Sequence, residues 1–147
     1  MASTPLRVVL RYVEILDSKD FDGTGEFVFE FKASVPESGL EQTTRIPEQG
    51  HVEISDHPSM RKVTMQKEIF HGVVGDDETL VLEANVRELD RLSADDHLSP
   101  YRREFKGPAA RWLGEHTPWD EGTTDAPDPE QLGDWRFAFA IEEAATT

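Results

Sequence analysis

No cysteine occurs among the 147 residues. Disulfide scaffolds, thiolate zinc sites, iron–sulfur clusters and cysteine nucleophiles are thereby excluded. Basic residues are scarce as well: 15 Lys and Arg stand against 30 Asp and Glu, a formal net charge of -15. A nucleic-acid binder needs a positive footprint on the phosphates, so no nucleic-acid partner is expected. Unaided binding to an anionic membrane is disfavoured for the same reason. No apolar run reaches the length of a signal-peptide core or a membrane span, and a cytoplasmic location is the default expectation. The length allows a buried core without covalent staples, and one domain over residues 1–147 is the expected organisation. There is no internal repeat and no low-complexity tract.

What is present has a period of two rather than 3.6. Leu6 to Leu16 reads as a strand with Val8, Leu10 and Tyr12 on one face. Glu26 to Val35 is the clearest strand, with Phe27, Phe29 and Phe31 opposed to Glu26, Glu30 and Lys32, until Pro36, Ser38 and Gly39 break it. Extended pieces are predicted at Thr43–Ile46, His51–Ile54, Met60–Ile69 and Thr79–Leu89, and a last strand at Trp135–Ile141. Short alternating runs between Gly, Pro, Asp and Ser clusters predict an all-β sandwich or barrel, and an antiparallel β-sandwich is the architecture expected. Gly107 to Gly133 holds Pro108, Pro118, Pro127 and Pro129 together with Trp112 and Trp119. It reads as a long Pro/Trp-containing loop before the last strand, with a short helix near Ala109–Leu113. From Trp112 onward nine acids face only Arg136, so over half of the net charge lies there.

Two acidic clusters fall at turns that follow strands. Asp17, Asp20, Asp22 and Glu26 surround Gly23 and Gly25; Glu88, Asp90, Asp95 and Asp96 follow the Leu80–Val86 alternation. Carboxylates crowded at one turn repel unless water separates them or a cation neutralises them. Calcium suits such a set, because it takes six to eight hard oxygen ligands in a flexible shell. Magnesium demands octahedral geometry, and zinc prefers histidine. The competing reading is a pair of solvated turns, since Asp is a common turn residue. An EF-hand is excluded: with Gly23 at the sixth loop position, Ser18 would be first and Phe29 twelfth, neither of them a carboxylate.

The spacing of these residues resembles that of C2 domains, which are calcium- and lipid-binding β-sandwiches. The family's first calcium loop reads D-x-x-G-x-S-D-P-Y-V, and Asp20-Phe21-Asp22-Gly23-Thr24-Gly25-Glu26-Phe27-Val28-Phe29 keeps its spacing. The third loop commonly reads D-x-D-R-x-S-x-x-D-x-[IL]-G, to which Glu88-Leu89-Asp90-Arg91-Leu92-Ser93-Ala94-Asp95-Asp96-His97-Leu98-Ser99 is similar. The two stretches occur in the family's order, and the resemblance covers roughly residues 5 to 100. Glu26 and Glu88 replace aspartates, Ser99 replaces a glycine, and the lipid-binding basic strand is reduced to Arg61, Lys62 and Lys67. The resemblance implies Ca2+ as the bound ion, with Asp20, Glu26, Glu88, Asp90 and Asp96 as ligands and Asp22 or Asp95 as supplements. It also implies calcium-dependent docking, to a protein partner or a Ca2+-bridged lipid surface, with Phe21 and Leu92 at the loop tips. A purely structural calcium is the third outcome it allows.

An enzyme is not expected. His51, His57, His71, His97 and His116 are scattered, and Ser93, Asp96 and His97 are neighbours in one loop, whereas a working triad converges from separate elements. A glycosidase pair is disfavoured where a cation would keep both carboxylates ionised. Trp112, Trp119 and Trp135 suggest an alternative, a carbohydrate-binding or assembly module of the same sandwich class. The opposing reading is that these rings pin the long loop to the sheet.

Overall fold

Alternation in the first half of the chain becomes alternation of burial. In the computed structural model Phe27, Phe29 and Phe31 lie between two sheets, with relative exposures of 0%, 0% and 2%, while Glu30 and Lys32 face solvent. The structure describes residues 2–15, 24–55, 62–89, 96–97, 100–117 and 135–144, with backbone alone at residues 24, 55, 96 and 97. Its strands are β1 (Ser3–Ile15), β2 (Thr24–Val35), β3 (Leu40–Ile46), β4 (Val52–Ser55) and β5 (Lys62–Gly75). They continue with β6 (Leu80–Leu89), β7 (Asp96–His97), β8 (Tyr101–Phe105), β9 (Gly114–His116) and β10 (Trp135–Glu143). One sheet runs β5-β1-β10-β9; the other runs β3-β2-β6-β7, with β4 also paired to β2 and β8 also paired to β6. Every described pairing is antiparallel, so the fold is an all-β sandwich.

The core is an aromatic seam. Trp135, Phe137 and Phe139 occupy successive inward positions of β10 and stack along the strand, with ring centroids 4.9 and 5.8 Å apart. Facing them across the sandwich, Phe29 meets Trp135 at 6.2 Å, Phe31 meets Phe137 at 5.6 Å, and Tyr101 meets Phe137 edge-on at 5.0 Å. Phe105 closes the row against Phe139 at 6.2 Å and 90°. Such offset and edge-to-face pairs add about 0.5–1.5 kcal/mol each beyond the area they bury.

Several strands run further than the alternation shows. In β3, which begins at Leu40 rather than Thr43, Gln42 turns inward and its amide takes the place of a neighbouring strand. Its Nε2 donates to the His71 carbonyl at 2.8 Å, and its Oε1 accepts from the His71 N–H at 3.0 Å. That bridge joins the edges of the two sheets. Strand β5 continues to Gly75 through Gly72, beyond the Ile69 limit expected from the sequence. At Gly72 a Cβ would stand 2.5 Å from the Leu40 side chain, so the glycine is present for close packing. β8 shows no apolar alternation because Arg103 holds an inward position at 6% exposure, its guanidinium 4.4 Å from the Phe105 ring. A cation on the ring face keeps the stem buried and the charge stabilised. The stretch expected to be one long loop contains the 3-10 turn Ala109–Trp112, where a short helix was predicted, and also β9. Residues 118–134, including Trp119, lie outside the described residues.

His116 on β9 is packed among aromatic rings. Its ring stacks on Phe139 at 5.1 Å, meets Phe105 edge-on at 5.3 Å, and Nε2 donates to the Trp112 carbonyl at 2.7 Å. Burial, aided by the Arg103 charge, holds its pKa below the ordinary value despite that bond. The neutral ring is therefore favoured in the folded chain, and the unfolded chain takes up the proton first as pH falls below about 6.5. Urea unfolding at pH 7.5 and 5.5 is expected to show stability lost on acidification through that window. In His116→Gln that pH-dependent loss is expected to shrink; an unchanged slope would contradict this assignment.

Candidate metal centre

The register fixes which connections share an end of the sandwich. β1 ends at Ile15 opposite Trp135, and Glu14 pairs with Lys62 at the start of β5. β2 begins at Thr24 opposite Ser55, and β6 ends at Leu89 opposite Glu26. Connections 16–23, 56–61, 90–95 and 118–134 therefore all leave described strands at this end. They contain twelve of the thirty Asp and Glu but only three Lys and Arg. Connections 36–39, 76–79 and 106–113, at the opposite end, contain Glu37, Asp76, Asp77 and Glu78 against Lys106 and Arg111. The charge of the molecule is polarised along the strands.

Strand pairing adds a second carboxylate crowd at the same end. Among the described registers, acidic residues are direct register partners at two places, Glu26 with Glu53 and Glu88 with Asp96. Like charges directly opposite on neighbouring strands are destabilising. Elsewhere the outer face of this sheet matches its charges: Lys32 Nζ lies 3.6 Å from Glu41 and 3.9 Å from Glu83, and Arg102 lies 3.6 Å from Glu83.

Of the six residues singled out as metal ligands, Asp20, Asp22 and Asp90 lie outside the described residues. Glu88 and Asp96 are brought together as register partners. Glu88 pairs on its other side with Phe27, so it belongs to the inner face, and it is 5% exposed. Its carboxyl carbon lies 3.3 Å from where a Cβ on Gly25 would stand. Glu26 points the other way. On the outer face of the sheet its Oε1 lies 3.7 Å from His51 Nε2, which is 3.9 Å from Glu53 Oε1. Glu26 and Glu88 thus stand on opposite faces with backbone between them, and a single shell containing both does not form. Glu26 is paired with Leu89, not Glu88, and a one-residue offset across a pleated sheet reverses the face. Loop spacing carries no information about that offset.

Sequence reasoning missed His51 and Glu53 as partners of Glu26. Their i, i+2 spacing placed them on one face of an extended segment, which was the available signal. What hid the contact was the interruption of the edge strand. Ile46 pairs with Phe29 and Val52 with Phe27, so β3 and β4 act as one edge strand with residues 47–51 looped out. Trp112 and Trp135 are 5% and 0% exposed, so neither presents a ring for a sugar, and the carbohydrate reading loses both platforms. Among the described residues no helix is long and apolar enough to cross a membrane.

No protein-family model matches the sequence, and no curated protein matches it. Among solved structures, the chain is similar to human GIVD cytosolic phospholipase A2, with a TM-score of 0.50 and 15% identity. The match covers 99% of this chain and 17% of that one, so the chain spans about a sixth of the phospholipase's length. At this identity the likeness is one of fold.

Gly25 is packed as closely as Gly72. A Cβ there would lie 2.5 Å from the Phe27 ring as well as against the Glu88 carboxyl. Gly25→Ala is expected to destabilise the chain by roughly 1–3 kcal/mol, the usual range for overpacking. Chemical denaturation checks this, and a variant as stable as the parent would contradict the packing described.

Proposed function

We propose that the chain is a non-enzymatic, C2-like calcium-binding module whose acidic end holds Ca2+ and uses it to dock on an anionic surface. The observation that carries this reading is that four connections holding twelve acids and three bases leave strands at one end, together with the Glu88–Asp96 register pair at the base of one of them. Burying the Glu88 carboxylate is costly, and a divalent cation beside it offsets that desolvation. A set of carboxylate oxygens suits calcium's flexible shell better than magnesium's octahedron. The ligands on this reading are Asp20, Asp22, Asp90 and Asp96, with Glu88 beneath them; Glu26 is set aside by its face.

With a net charge of -15 the chain repels anions, so docking on a phosphate-bearing surface requires bridging metal. Phospholipid head groups are the partner class with that chemistry, and the fold likeness to a phospholipase supports them. A protein partner and a purely structural ion are the remaining outcomes.

A thermal melt of metal-stripped protein tests the reading. Calcium at 100 times its Kd contributes about 2.7 kcal/mol to the folded state. For a chain of this size that is a rise of roughly 5–10 °C in Tm. Magnesium is expected to give much less, chelator to reverse the rise, and Asp90→Asn with Asp96→Asn to abolish it. Equal effects of calcium and magnesium, with the double variant behaving as the parent, would reduce the acidic connections to solvated turns. Calcium-dependent co-sedimentation with phosphatidylserine vesicles then separates lipid docking from a structural ion.

A further inference from the structure

On the outer face of the β2–β4 pair, Glu26, His51 and Glu53 bring one imidazole nitrogen and two carboxylate oxygens within 4.8 Å of one another. We propose that these three side chains form a second metal site, selective for zinc-class transition ions and on the opposite face of the sheet from Glu88. The donor set is the first argument. Calcium takes oxygen ligands, whereas imidazole with carboxylates suits zinc and its neighbours.

Geometry is the second. Zinc–ligand distances of about 2.0–2.2 Å in a tetrahedron place neighbouring donors roughly 3.3–3.5 Å apart. His51 Nε2 is 3.7 Å from Glu26 Oε1 and 3.9 Å from Glu53 Oε1, so closure needs only small side-chain rotations. The backbone beneath is fixed by pairing: Glu26 and Glu53 are direct cross-strand partners. His51 is set in place by the looped-out residues before it, where Arg45 donates to the Pro47 carbonyl at 2.7 Å and the Gly50 carbonyl at 2.8 Å.

Electrostatics is the third. Two carboxylates face one another across the strands, on the face where Lys32 and Arg102 each lie beside glutamates. A divalent cation converts that repulsion into two bonds. Three protein ligands leave the fourth tetrahedral position for water, and Glu53 at 69% side-chain exposure keeps the site open to solvent.

The test is titration of the metal-free full-length chain with Zn2+ against a chromogenic zinc indicator at pH 7.5, with Co2+ as an optical probe of coordination. The expected result is one equivalent of Zn2+ bound at His51, weakened at least tenfold in His51→Ala. Glu53→Gln, at an exposed position, is expected to weaken it as well, with His71→Ala and Asp90→Asn unchanged. Co2+ is expected to give the visible bands of four-coordination, lost in His51→Ala, and millimolar Ca2+ not to displace Zn2+. Absence of stoichiometric binding, undiminished affinity in His51→Ala, or displacement by Ca2+ would overturn the proposal. Because the calcium reading rests on Asp90 and Asp96, either site can fail while the other stands.

Discussion

Contact between the two sheets runs through the inward rings of β10. Trp135, Phe137 and Phe139 stack on one another and receive Phe29, Phe31, Tyr101 and Phe105 from the opposite sheet. Because Trp135 is also the register partner of Ile15, the same ring that meets Phe29 marks the end of β1. The seam therefore aligns the strand ends of both sheets, and the acid-rich connections follow. Loss of rings from this row would cost burial and also loosen the alignment on which a shared site depends.

Charge is then distributed by register rather than by loop composition alone. Cross-strand pairing puts Glu88, the register partner of Asp96, on the inner face and Glu26 with Glu53 on the outer one. The sheet between them divides one acidic end into two environments of different chemistry. The inner pair leads into connections whose side chains offer oxygen donors, while the outer pair has a histidine beside it. On the readings proposed above, hard and borderline cations take separate places.

Much of this was legible in the sequence because burial on one face imposes a period of two. The β2 alternation, the final Trp135–Ile141 run and the sandwich class follow from it directly. Where inward positions carry polar residues the signal vanishes: Gln42 bridges to the His71 backbone, and Arg103 lies against the Phe105 ring. Past Ile69, β5 continues through Gly72, whose close packing against Leu40 no local pattern announces. The acidic clusters were visible, and so was their convergence, but not the face each glutamate takes. Facing depends on a one-residue offset between β2 and β6, and no local pattern encodes that offset.

The central claim is that one end of the sandwich holds a divalent cation and the other does not. The most direct measurement is a calcium titration of the isotope-labelled chain, followed by its backbone amide resonances. The account predicts saturable shifts at the strand ends around Ile15, Gly25, Leu89 and Trp135, with Glu37 and Asp76 to Glu78 at the opposite end unmoved. Those four acids are an internal control for nonspecific attraction to carboxylates. Shifts of similar size at both ends, or none at either, would contradict it.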